Sequence, residues 1–136
     1  MKKNLCVLPI LSLLILAACG GGANIPNTAV LTVEPVPAEF AGITNPLGTD
    51  AAAAGEEVFM SSCKSCHGPE GHGDGPAAAS LDPRPRNLVE LQKQVRDDYL
   101  FWRISTGRDG TAMISWEGIL TDEQIWQLVA FIRTLK

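Results

Sequence analysis

The sequence predicts an all-α domain of three to five short helices, and three stretches predict it. Asp50 followed by Ala51-Ala52-Ala53-Ala54 is a strong helix start with a capping side chain beside it. Thr121-Asp122-Glu123-Gln124 is a capping box, and Ile125, Leu128, Val129, Ile132 and Leu135 follow it at helical spacing. Between the two lies Cys63-Lys64-Ser65-Cys66-His67, the C-x-x-C-H pattern of covalent haem attachment. Its two thiols are spaced to add across two vinyl groups on one porphyrin edge. The next residue, His67, then falls under the iron, where an imidazole nitrogen serves as proximal ligand. The helices are therefore expected to wrap around one covalently bound haem c.

With 136 residues the chain suggests a single domain, and 46% hydrophobic against 19% charged residues permits a packed core. The net charge of −4 argues against nucleic acid, which wants basic patches. A mildly acidic surface is also a poor match for anionic headgroups, so membrane association would need a covalent device.

The N-terminus supplies one. Lys2 and Lys3 precede an almost wholly apolar run from Leu5 to Ala18, which has the length and flank of a secretory signal rather than a stable span. Residues 1–18 are thus expected to be removed. Leu16-Ala17-Ala18-Cys19 resembles the bacterial lipobox, in which Cys19 is diacylated and becomes the first residue; the alternative is an ordinary signal cleaved nearby with Cys19 incidental. Cleavage discards two lysines and leaves nine basic against fifteen acidic side chains, a charge of −6. It also discards Cys6, so that lipid and two thioethers use every remaining cysteine, as an oxidising compartment outside the cytoplasm favours.

Residues 19–50 read as a flexible tether rich in Gly, Pro, Asn and Thr around Glu34-Pro35-Val36-Pro37. Its relaxed span is on the order of 30 Å, which would let an anchored domain swing between membrane partners. The competing expectation is that Phe40, Ile43 and Leu47 lay Phe40–Gly48 against the domain. Residues 51–136 form that domain.

The first helix should run from Ala51 to about Cys63, with Gly55 and Phe59 on one face. A mid-helix glycine costs about 1 kcal/mol relative to alanine, so close approach of another helix is expected there. Met60, one turn before Cys63, is badly placed to bind iron and reads as core. A zinc site from Cys63, Cys66, His67 and His72 competes with haem, but adjacent Cys66 and His67 can hardly face one metal, and no second cysteine pair exists. A thioredoxin-like dithiol wants a preceding strand, and none precedes Ala51.

Gly68-Pro69-Glu70-Gly71-His72-Gly73-Asp74-Gly75-Pro76 is a dense loop signal. From His67 through Pro76 and the following Ala-Ala-Ala-Ser-Leu, the chain resembles class I c-type cytochromes, especially the bacterial lipoprotein and cytochrome-oxidase-subunit branch. The resemblance implies the cytochrome c fold, and it implies that the Pro76 carbonyl accepts the proximal imidazole N–H. His72, five residues from His67, reads as a solvated loop histidine. Arg84 and Arg86, in the proline-broken run Asp82–Leu88, are either surface charges or partners for a haem propionate.

Leu88–Gln94 reads as a short helix or turn. A further helix capped by Asp97 or Asp98 carries Leu100, Phe101, Trp102 and Ile104 and ends at Gly107. The resemblance places it over the distal side, with Leu100 and Ile104 against the ring. The glycine-rich loop from Thr106 delivers Met113. Of Met60, His72 and Met113, only Met113 is far enough along the chain to reach the opposite haem face, so it is the expected second axial ligand; the alternative is a core-filling methionine. Relatives usually show Met-Pro here, whereas this chain has Met113-Ile114. By the same resemblance Trp116 packs on the haem edge, and Leu128 and Phe131 cross Gly55 and Phe59.

The expected function is one-electron transfer by a lipid-anchored, monomeric domain facing the periplasm or cell exterior, serving redox proteins of membrane oxidoreductase complexes. No nucleophile–base constellation is present, so a stand-alone enzyme is not expected. Two alternatives are a haem subunit of a larger oxidoreductase and a five-coordinate gas sensor, the latter requiring that Met113 not bind iron.

Overall fold

The computed structural model describes residues 32–136; the expected signal segment 1–18, Cys19 and the first part of the 19–50 tether lie outside the described residues. The described chain is helical, with α1 Ala52–Ser62, α2 Lys64–His67, α3 Leu88–Leu91, α4 Asp97–Thr106 and α5 Asp122–Ile132, plus 3-10 turns at Thr49–Ala51 and Ala78–Ser80. Among the described residues there is no strand beyond an isolated Glu117–Leu120 bridge, and no helix is long and apolar enough to cross a membrane.

Helices α1 and α5 cross at the glycine expected to allow it. A Cβ on Gly55 would stand 1.9 Å from the Gln127 carbonyl oxygen, so only glycine lets the two backbones meet. One turn later Phe59 and Phe131 pack with ring centroids 5.1 Å apart. Around this crossing Phe59, Ile125, Leu128 and Val129 are fully buried. Helix α4 adds Tyr99, Leu100, Phe101, Trp102 and Ile104 to the core, with Phe101 stacked on Trp126 at 4.2 Å.

The caps divide. At α5 both bonds of the Thr121–Gln124 box form, as its sequence predicts. Asp50 does not cap α1. It lies inside the 3-10 turn, and Ala51 already has helical angles (φ −71°, ψ −10°), leaving no extended residue from which a side chain could reach back. Neither Asp97 nor Asp98 is the N-cap of α4; extended Arg96 precedes the helix and both acids sit in its first turn, where they complement the dipole. Asn87, which the sequence reading passed over, caps α3 through the Glu90 N–H.

Before α1 the chain follows the second of the two expectations for it, packing on the domain over Phe40–Gly48, and the contacts begin earlier still. From Thr32 onward the chain is a strap laid on the domain. Phe40 packs on Phe101 at 6.3 Å, the Gly42 N–H donates to buried Asp98 at 2.9 Å, and the Asn45 amide donates to the Trp126 carbonyl at 2.8 Å. Val36, Phe40, Ile43 and Leu47 border the core, burying apolar surface that a free linker would leave in water.

Candidate haem site

Helical geometry breaks at Cys63 (φ −113°, ψ −31°), which ends α1 and opens α2. The Cys63 N–H still donates to the Phe59 carbonyl at 2.8 Å, and the His67 N–H donates back to the Cys63 carbonyl at 3.0 Å. One turn therefore carries Cys63 at its start and Cys66 and His67 at its end. The loop that follows folds over this turn, with the N–H groups of Gly73, Gly75 and Ala77 donating to the carbonyls of His67, Cys66 and Ser65.

Cys63, Cys66 and His67 line one cleft. Its walls are apolar, built by Phe59, Leu88, Leu100, Ile104, Leu128 and Ile132, and Met113 and Trp116 line it as well. The cleft is open to solvent along one side. Burial, with the neighbouring Cys66 sulfur, pushes the Cys63 thiol up to about 11. Burial also holds the His67 imidazole below its ordinary value, against the opposing pull of the Arg86 carbonyl, and so favours the neutral ligating form.

The Arg86 carbonyl corrects the expectation for Pro76. His67 Nδ1 lies 3.2 Å from the Arg86 carbonyl oxygen, and Pro76 is exposed and does not line the cleft. The reason is the fold of the 68–77 loop, whose N–H groups face α2 and leave Pro76 outside. The segment that reaches the imidazole is the extended run Pro83–Asn87, pinned by the Asn87 cap of α3. With Nδ1–H donated to Arg86, Nε2 is free to bind a metal.

Met113 is presented by a loop held at both ends. Gly107 (φ 72°) ends α4, and a Cβ there would stand 2.6 Å from the Met113 carbonyl, so glycine permits the crossing. The Arg108 N–H donates to the Met113 carbonyl at 2.9 Å, and Thr111 Oγ1 accepts from the Met113 N–H at 3.1 Å. On the far side, the Trp116 and Glu117 N–H groups and the Ser115 hydroxyl return to carbonyls at the end of α4. These bonds tie the segment carrying Met113 to the end of α4 on both sides.

The competing ligands lie elsewhere. Met60 is half-buried and His72 is exposed, with Nε2 3.4 Å from a Glu70 carboxylate oxygen; neither lines the cleft. Among the described residues no group of three or more His, Cys, Asp and Glu side chains is placed to hold a metal ion. Four arginines complete the cleft: Arg84 and Arg86, for which the sequence leaves surface charge and propionate partner open, and Arg103 and Arg108, which it does not single out. Arg103 had a signal, as the one cation inside the apolar run Tyr99–Ile104.

The donor set fits a haem. Two thiols one turn apart, a neutral imidazole beside them, a thioether on the same cleft and cations at the rim match its vinyl groups, iron and carboxylates. When bound, such a group supplies Fe(III)/Fe(II) one-electron chemistry, and the chain supplies attachment, ligands and an apolar shell.

A family model described as cytochrome c oxidase, cbb3-type, subunit III, matches residues 50–132. The cbb3-type cytochrome c oxidase subunit FixPc of Rhizobium leguminosarum bv. viciae is 28% identical over 106 residues, 77% of this chain and 35% of that protein. Among solved structures, the reducing HAO-like protein complex of Kuenenia stuttgartiensis superposes with a TM-score of 0.60 at 27% identity, over 76% of this chain and 51% of that one. The c-type cytochrome KustC0563 superposes with a TM-score of 0.51 at 26% identity, over 60% of this chain and 96% of that one. The chain spans about a third of the FixPc subunit and about half of the matched chain of the complex.

Proposed function

The chain belongs to the cbb3-type cytochrome c oxidase subunit III family and is a class I c-type cytochrome carrying covalent haem c, and from that premise we propose that it is a His67/Met113-ligated one-electron carrier tethered to a membrane through lipidated Cys19. The observation that carries the proposal is the convergence of Cys63, Cys66, His67 and Met113 on one apolar cleft. A neutral imidazole and a thioether are the strong ligand pair that an electron-transfer iron wants, and the thioether favours the reduced state. Both attachment cysteines sit on a single helical turn, which suits one haem rather than several.

The test is a potentiometric titration of the purified holoprotein with a carbon monoxide challenge. A single one-electron wave and a ferrous form inert to carbon monoxide are expected. Ready carbon monoxide binding would mean an open iron and favour the gas-sensor alternative instead.

A second reading draws on the relatives: the chain serves as the haem subunit of a periplasm-facing oxidoreductase complex. Similarity to FixPc and to a chain of a reducing HAO-like protein complex supports it. Haem-stained native gels of mildly solubilised membranes separate the two readings. A free carrier migrates alone, and a subunit migrates with its catalytic partner.

A further inference from the structure

Arg103 is the cation most tightly held at the cleft. Its guanidinium lies over the Trp102 ring at 3.7 Å, and its side chain is 15% exposed. One terminal nitrogen donates to the Gly107 carbonyl at 3.3 Å and the other to the Glu34 carboxylate. Its Nε is buried and has no acceptor among the described residues. With its terminal nitrogens held by Gly107 and Glu34, Arg103 keeps a fixed positive charge on the wall of the cleft that it lines.

Glu34 gives this arrangement its particular character. It belongs to the strap rather than to any helix, and its second oxygen lies 3.5 Å from Arg108 Nε. One strap carboxylate thus bridges two arginines that line the haem cleft. Nearby, an Arg86 terminal nitrogen donates to the Thr32 carbonyl at 3.0 Å, fixing the strap to the same rim.

We propose that Arg103 and Arg108 hold positive charge beside the haem and that Glu34 is their counter-charge, so that seating of the strap lowers the reduction potential of the haem. A seated Glu34 offsets positive charge beside the cleft and stabilises Fe(III) relative to Fe(II). Linkage makes the effect reciprocal: reduction must loosen the strap by the same free energy. Glu34 is half exposed, so the coupling weakens with salt.

The test uses the full-length holoprotein. At low salt, Glu34→Gln is expected to shift the Fe(III)/Fe(II) equilibrium toward the reduced form by about two- to fivefold, a tenfold change being about 59 mV. Arg108→Gln shifts it the opposite way, and Arg103→Lys preserves the charge if Arg103→Gln does not fold. In an Arg108→Gln background the Glu34→Gln shift should shrink. Amide exchange at Phe40, Ala41 and Gly42 should be faster in the ferrous than in the ferric protein. An unchanged midpoint in Glu34→Gln overturns the proposal. So does a shift of undiminished size in the Arg108→Gln background, or strap exchange independent of oxidation state.

Discussion

At Gly55 the absence of a side chain decides how closely two helices approach. Alanine there would drive a methyl group against the Gln127 carbonyl, and backbone cannot yield as a flexible side chain can. We expect Gly55→Ala to destabilise the holoprotein by about 3 kcal/mol, the upper end of ordinary overpacking, read as a lower urea midpoint at constant slope. This residue was legible in the sequence, because a glycine one turn from Phe59 in a helix has few other uses. The acceptor for His67 was not. The Arg86 bond is made by a backbone carbonyl, which every residue possesses, so side-chain identity gave no sign of it. Pro76 stood in the right stretch by resemblance, but loop path rather than proximity in sequence selects the carbonyl.

Among the elements, the caps show where local sequence suffices. Thr121 and Gln124 satisfy each other's backbone within four residues, so the start of α5 needed no tertiary knowledge. Thr121→Ala should cost about 1 kcal/mol in a denaturation midpoint, and Asn87→Ala about the same. Asn87 also governs the site, because its cap fixes the extended chain that offers the Arg86 carbonyl. Asp98 was less legible. Its place in a first turn suggests a cap, yet its carboxylate accepts the Gly42 N–H from the strap, 56 residues away. The other end of α5 is similarly long-range. Just past its last turn, Arg133 Nε donates to Asp97 at 2.8 Å and a terminal nitrogen to the Val95 carbonyl at 3.0 Å.

For the whole molecule, the strap changes how the domain relates to any anchor. A tether free from residue 19 to residue 50 would leave the haem cleft indifferent to it. With Thr32, Glu34, Phe40, Gly42 and Asn45 all engaged, the described part of the strap instead starts at the arginines of the cleft rim. Phe40, Ile43 and Leu47 signalled the docking in sequence, whereas the prolines around Glu34 suit an extended chain whether free or docked and gave no sign of the contacts at the rim. The central claim is narrower than this architecture: His67 and Met113 together bind the iron of a single electron-transfer haem. Met113 reaches the cleft on a loop tied to both ends of its crossing, and neither Met60 nor His72 lines that cleft. The direct measurement is the optical spectrum and midpoint potential of wild type beside Met113→Ala. Loss of the far-red ferric band of methionine ligation, with a lower potential and new carbon monoxide binding, is the predicted result. A spectrum and potential unchanged by the substitution would contradict it.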